Sequence, residues 1–327
     1  MGCAGGVANG VNTEHGSYAT ARGHALAGAR LYIPREQIED AERRDRLGIP
    51  AGLEFKTKPQ LAIEITADAI ADGTMPLWPA GDEVYGQPGE LRGHLERHRT
   101  GYVLRVPRTF RVPLPGGRQM RADQLAAKIR PKWWQSASVP GSKGDRVYDR
   151  AWAATVSPRH TMLIRRNQAT GEMAFHYRYL PEGRHASLKT LVRVACLRWP
   201  VEEGFEFGKD YFGLDHSQVR LYTSLLRHTV LAMAALAACA VTAAAARERT
   251  SSLPPMPASP DEKTARRPRP HPADRQRGQT PVLPAHPYLT DHRPPRPLAP
   301  LAAPPPGTSK VAPPPGTAPA PGRPMTR

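Results

Sequence analysis

Two places in this 327-residue sequence put carboxylates where they could do chemistry. Asp82 stands in Gly81-Asp82-Glu83-Val84-Tyr85-Gly86, just after the apolar Leu77-Trp78 pair. A carboxylate at the C-terminal end of a strand is where α/β proteins place reactive groups, and the flanking glycines leave the backbone free to expose it. An acidic turn residue would explain the same pattern. Glu202 and Glu203 follow Trp199-Pro200 and read as the first turn of a helix, where acidic side chains favour the helix dipole and so cap it. Arg198, Glu202 and Lys209 stand at i−4, i and i+7, on one face of that helix. A carboxylate between two cations stays ionised and is prepared to hold a divalent cation near phosphate, which suits phosphoryl transfer.

Other constellations are weaker. Lys132-Trp133-Trp134-Gln135, Tyr177-Arg178-Tyr179 and Arg220-Leu221-Tyr222 interleave aromatic and basic residues. Such pairs stack bases and clamp phosphates, or are core aromatics beside solvated charges. The sequence has no glycine-rich phosphate loop and no Ser/His/Asp arrangement of familiar spacing. His94, His98, His160, His176, His216 and His228 form no zinc-spaced pair, and Cys3, Cys196 and Cys239 are too scattered for a zinc knuckle or a disulfide framework, which fits a reducing cytoplasm.

The elements that must position these groups follow from pattern. Residues 11–18 and 24–33 read as two strands joined by a turn at Thr20 to Gly23. Pro34 starts a charged helix as its first residue, and a stronger helix runs from Lys58-Pro59 to Gly73 on a face of Leu61, Ile65, Ala69 and Ile70. Leu77-Trp78 begins a short buried strand leading to Asp82; Leu91 to His98 is a helix, and residues 101–106 are a strand. From Pro107 to Tyr179 the pattern is β-rich, with strands at Tyr148 to Val156, Met162 to Arg166 and Met173 to Tyr179. Helices follow at Leu188 to Leu197, from Pro200 to Gly213, and over 217–247.

Composition divides the chain. Of 37 prolines, 23 fall in the 77 residues from Ser251 to Arg327, a stretch expected to sample polyproline II and coil rather than fold. Charge splits as 35 Lys and Arg against 25 Asp and Glu before residue 251 (+10), and 11 against 4 after it (+7), summing to +17. Two basic parts suit a polyanion such as nucleic acid, while Arg-, Pro- and Ala-rich usage could equally reflect genomic composition in the tail. Residues 229–246 are uncharged over 18 positions, the nominal length of a membrane span, but ten are alanine, so a buried helix is expected and no membrane. The N-terminus lacks a basic region followed by an apolar run, so no signal peptide is expected.

With these residues in hand, three separated blocks carry a family resemblance. Residues 198–237, with Arg198, Glu202 and Lys209 in R-x3-E-x6-K spacing, resemble the C-terminal block of DDE-type transposases of bacterial insertion sequences. Residues 19–62 and 78–96 are similar to earlier segments of that family, in the same order. The resemblance implies an α/β, ribonuclease-H-like core with a β-rich insertion: residues 1–106 as its N-terminal part, 107–180 as the insertion, 181–250 as the helical part carrying Glu202, and 251–327 as a disordered Pro-rich tail. It implies two Asp and one Glu holding two Mg2+ or Mn2+ ions for in-line displacement at a DNA phosphate. Asp82 would be the second Asp and Glu202 the Glu, both metal ligands, with Arg198 and Lys209 facing phosphate. The implied partners are DNA, as element ends and target, and a second copy in a homodimer.

The sequence also departs from the pattern. Ala195 stands where the family's signature has tyrosine. The first Asp belongs to the first strand of the core, ahead of the residues present, so that strand is expected to be incomplete and the protein a truncated, catalytically incomplete copy. Glu14, on a strand, and Asp68 and Asp72, on a helix, are poor stand-ins. A DNA-binding remnant without catalysis is the alternative.

Overall fold

A computed structural model describes residues 10–139 and 146–251. Strand β1 (Asn12–Ala19) pairs antiparallel with β2 (His24–Tyr32), joined by the turn in which Thr20 N donates to Gly23 O at 2.8 Å. Two short helices follow, α1 (Arg35–Glu39) and α2 (Ala41–Leu47), where the sequence suggests one. Asp40 breaks the run by adopting extended backbone and accepting from Arg43 N, and Pro34 is the cap of α1 instead of its first residue. Helix α3 (Lys58–Ala71) begins in a capping box: Thr57 accepts from Gln60 N, and the Gln60 side chain accepts from Thr57 N.

The expected buried strand at Leu77-Trp78 shrinks to β3 (Ala80–Gly81), and Leu77 is 62% exposed. Next come α4 (Glu83–Gly86), α5 (Gly89–Arg97) and β4 (Tyr102–Val106), with β3 parallel to β4. Most of the strands lie in residues 107–180. A small hairpin, β5 (Arg111–Pro113) with β6 (Gln119–Arg121), and helix α6 (Ala122–Ala127) lead to β7 (Gln135–Val139), β8 (Arg146–Ala154), β9 (His160–Asn167) and β10 (Met173–Tyr179). These last four strands extend the sheet that holds β4, in the order β3-β4-β10-β9-β8-β7, making one mixed six-stranded sheet. The fold is mixed α/β. Among the described residues no strand joins β1 to β3, so the two sheets stay separate.

Alternation decides what each face buries. Tyr102, Leu104, Val106, Met162, Ile164, Phe175, Tyr177 and Tyr179 pack with Leu91 and Leu95 of α5 and Leu125 of α6. Val103, Leu163 and Trp152 point the other way, against Leu191 and Val194 of α7 (Leu188–Ala195). Tyr177 and Tyr179 are therefore core aromatics, and Arg178 between them lies on the opposite face.

Helix α8 (Arg198–Phe212) starts two residues before Pro200 and closes at Gly213, whose positive φ of 62° is the left-handed cap that glycine adopts freely. Helix α9 (Tyr222–Ser251) is long and apolar enough to cross a membrane. It buries a stripe, Thr229, Ala232, Met233, Leu236 and Ala240, beside β2 and α8 and leaves Val230, Leu231 and Val241 exposed. The helix is thus covered along one stripe, not buried as its composition suggests. The Pro-rich tail from residue 252 lies outside the described residues, as does Cys3.

Candidate functional site

Asp82 is placed by a strand only two residues long. Ala80 and Gly81 pair with Val103 and Leu104, and the chain then turns into α4 with Asp82 as N-cap. Its Oδ1 accepts from Val84 N at 2.9 Å, so one carboxylate oxygen is committed to the helix start. Two glycines allow the fit. Gly81 packs against Leu104 and Tyr85, and Gly86 lies so close to β4 that an added Cβ would meet the Arg105 carbonyl oxygen at 1.9 Å. Glu83 pairs with Arg105, Oε1 to Nε 3.0 Å. The strand-end position expected for Asp82 is thus observed, and so is the bland role of a capping acid.

Beside Asp82, sequence reasoning passed over a buried knot. Glu14 on β1 is 4% exposed; Lys58 Nζ lies 2.5 Å from its Oε1, and Tyr85 OH donates to its Oε2. Tyr85 sits one turn after Asp82. Burial, then the Glu14 hydrogen bond, then the charges of Glu14 and Asp82 push its phenol well above the ordinary range. Glu14 is therefore ion-paired through Oε1 and hydrogen-bonded through Oε2, which makes it a structural carboxylate. The signal for this lay in alternation: Glu14, Gly16, Gly28 and Arg30 share the β1-β2 face that meets α3, where Ile65 fills the glycine gap and Arg30 reaches Glu64 at 2.8 Å and Asp68 at 2.5 Å. Asp68 is thereby an ion-pair partner of Arg30.

Glu202 and Lys209 lie on α8 as expected, both exposed, and Arg198 is that helix's first residue; the Arg198 side chain lies outside the described residues. Because α8 starts early, Glu202 and Glu203 fall in its second turn, and its first turn holds no acid. That removes the capping explanation for Glu202, since the dipole effect fades beyond the first turn. On the neighbouring face, the Glu203 carboxylate approaches His24 Nε2 at 3.8 Å, and Phe205 packs edge-on to His15 with ring centroids 5.1 Å apart.

Among the described residues no group of three or more His, Cys, Asp or Glu is placed to hold a metal ion. One Asp82 oxygen caps α4, and Glu14 is held by Lys58 and Tyr85.

Residues 1–160 match the family model described as DDE superfamily endonuclease. That span includes Asp82 and stops short of Arg198, Glu202 and Lys209. No curated protein matches the chain.

Proposed function

We propose that this DDE-type, transposase-like protein is a catalytically incomplete copy that engages DNA, with Asp82 and Glu202 as the remaining carboxylates of the family's phosphoryl-transfer site and Arg198 and Lys209 as cations facing the phosphate. DDE superfamily endonucleases generally use divalent metal ions, and the family implies DNA as substrate. The observation that carries the reading is Asp82 at the carboxyl end of the β3-β4 parallel pair, inside the matched residues. Insertion-sequence ends as the natural DNA rest on the resemblance of residues 198–237 and on the shared face of Arg198, Glu202 and Lys209.

We further propose that the described carboxylates bind DNA-bound metal too weakly for turnover. A two-ion centre needs ligands that converge, and here Asp82 caps a helix while Glu202 stands exposed on α8. The protein is then a DNA binder driven by its basic charge of +17 and does not cut. Fluorescence-labelled duplex titrated over a range of KCl, with and without Mg2+ or Mn2+, tests both parts. Steep salt dependence, indifference to sequence and intact DNA are expected. Absent or salt-independent binding overturns the DNA reading, and metal-dependent cutting that disappears in Asp82→Ala overturns the inactive one.

A further inference from the structure

The α7 side of the six-stranded sheet carries a row of cations. Arg105 on β4 stands directly opposite His176 on β10; Arg165 on β9 is two residues further along, opposite Ala174; Arg150 on β8 is directly opposite Arg165. Arg178 extends the row beside Thr161. With strands about 4.8 Å apart, Arg105 to Arg150 spans three spacings, about 14 Å. Like charges directly across a sheet are destabilising, and buried charge is costly unless paired. Arg150 and Arg178 in this row are almost fully buried, 6% and 5% exposed.

What neutralises this row is uneven. Arg105 has Glu83 at 3.0 Å. Arg165 lies over the Tyr148 ring, 4.6 Å from its centroid, and Arg178 lies 5.9 Å from the Trp152 ring. Among the described residues the buried Nε of Arg165, Nε of Arg178 and Nδ1 of His176 find no hydrogen-bond partner. His176 is 6% exposed, and burial followed by the charges of Arg165 and Arg105 holds its imidazole neutral, with a pKa of about 3. The row also runs beside the α7-α8 junction. Arg165 and Arg150 act on the Cys196 thiol at the end of α7, and the first turn of α8, which no side chain caps, begins two residues later. Guanidiniums and a helix start supply donors for one kind of ligand, an oxyanion, and the unpartnered imidazole nitrogen adds one in its Nδ1-protonated tautomer.

We infer that Arg105, Arg165 and His176, with Arg150 behind them, form a phosphate-binding site on the α7 face of the sheet. Its proposed source is a backbone phosphate of DNA, and that part rests on the DNA reading above; free inorganic phosphate offers the same chemistry. The competing explanation is that the arginines serve the carbonyls ending α7, in which case they stabilise the fold and bind nothing.

The test uses the full chain as wild type, Arg165→Gln, Arg105→Gln and the charge-preserving Arg165→Lys. Thermal melting with sodium phosphate against sodium chloride at matched ionic strength reads the site. The salt slope of duplex binding reads the source. Expected are phosphate stabilisation of the wild type, its loss in both Gln variants, and a DNA salt slope lowered by about 1 per variant, with Arg165→Lys near wild type in both. Loss of the phosphate response with an unchanged DNA slope keeps the site and overturns DNA as its source. Wild type that melts alike in phosphate and chloride, or an Arg165→Gln variant that melts lower yet keeps the full phosphate response, overturns the site in favour of the α7 cap. If the wild type binds no DNA the earlier reading falls, and the phosphate arm still decides the site.

Discussion

Gly86→Ala probes the contact that sets Asp82 in place. The new Cβ would stand 1.9 Å from the Arg105 carbonyl oxygen, 2.9 Å from its carbonyl carbon and 3.1 Å from Leu104 Cβ. Ordinary contacts between heavy atoms begin near 3.5 Å, so α4 has to retreat from β4 by roughly 1.5 Å. The obstructing atoms are backbone in a strand hydrogen-bonded on both sides, and no rotamer change relieves them. Overpacking costs about 1–3 kcal/mol, and this geometry belongs at the upper end, near 3 kcal/mol. For a folded body of this size that lowers the melting temperature by roughly 6–12 °C. Urea unfolding at equilibrium should show a lower midpoint with an unchanged slope. Gly93→Ala on α5 is the control, because its Cβ would meet nothing nearer than Arg97 Nη1 at 3.5 Å. It should be stabilising by about 0.5–1 kcal/mol, as glycine inside a helix carries an entropic cost. Equal, small effects of the two substitutions would refute the packing of α4 on β4.

Tyr85→Phe removes the donor to Glu14 Oε2 and leaves a buried carboxylate oxygen unsatisfied, so denaturant unfolding should show a loss of about 1–3 kcal/mol; a neutral effect would mean Lys58 alone satisfies Glu14. Thr57→Ala breaks the capping box of α3 and should cost about 1 kcal/mol in the same measurement. His15 and His176 are held neutral by burial, with pKa values lowered from 6.5 to about 4 and about 3. Their unfolded forms take up protons first, so stability should fall as pH drops from about 6.5 towards 4, and His15→Gln should flatten that slope. A variant as acid-sensitive as the wild type would show that His15 is not the titrating group.

Much of this arrangement can be read from residue order. The β1-β2 pair, α3 with its Lys58-Pro59 start, the strands up to Tyr179 and the Gly213 stop follow from alternation, helical period and cap residues, all local signals. What local signals do not carry is pairing. Nothing in residues 107–180 says that β10 will lie beside β4, and this decides which side chains share a face. The Arg105-His176 and Arg150-Arg165 pairs exist only through that register. The strand before Asp82 is shorter than its residue types suggest: Leu77 and Trp78 look buried by type, whereas a single parallel partner supports two residues and leaves Leu77 in solvent. Asp82 and Glu202 stood out as carboxylates in suggestive places. The pairing of Glu14 with Lys58 and Tyr85 depends on contacts 44 and 71 residues away, beyond the reach of any local pattern.

The most direct test of the central claim follows labelled duplex DNA with purified full-length protein in Mg2+ and in Mn2+, reading binding and strand integrity in the same samples. Salt-steep binding with both strands intact is expected, identical for wild type and Asp82→Ala. Metal-dependent nicking or joining by the wild type, abolished by Asp82→Ala, would contradict it and show that Asp82 and Glu202 take part in a complete catalytic site.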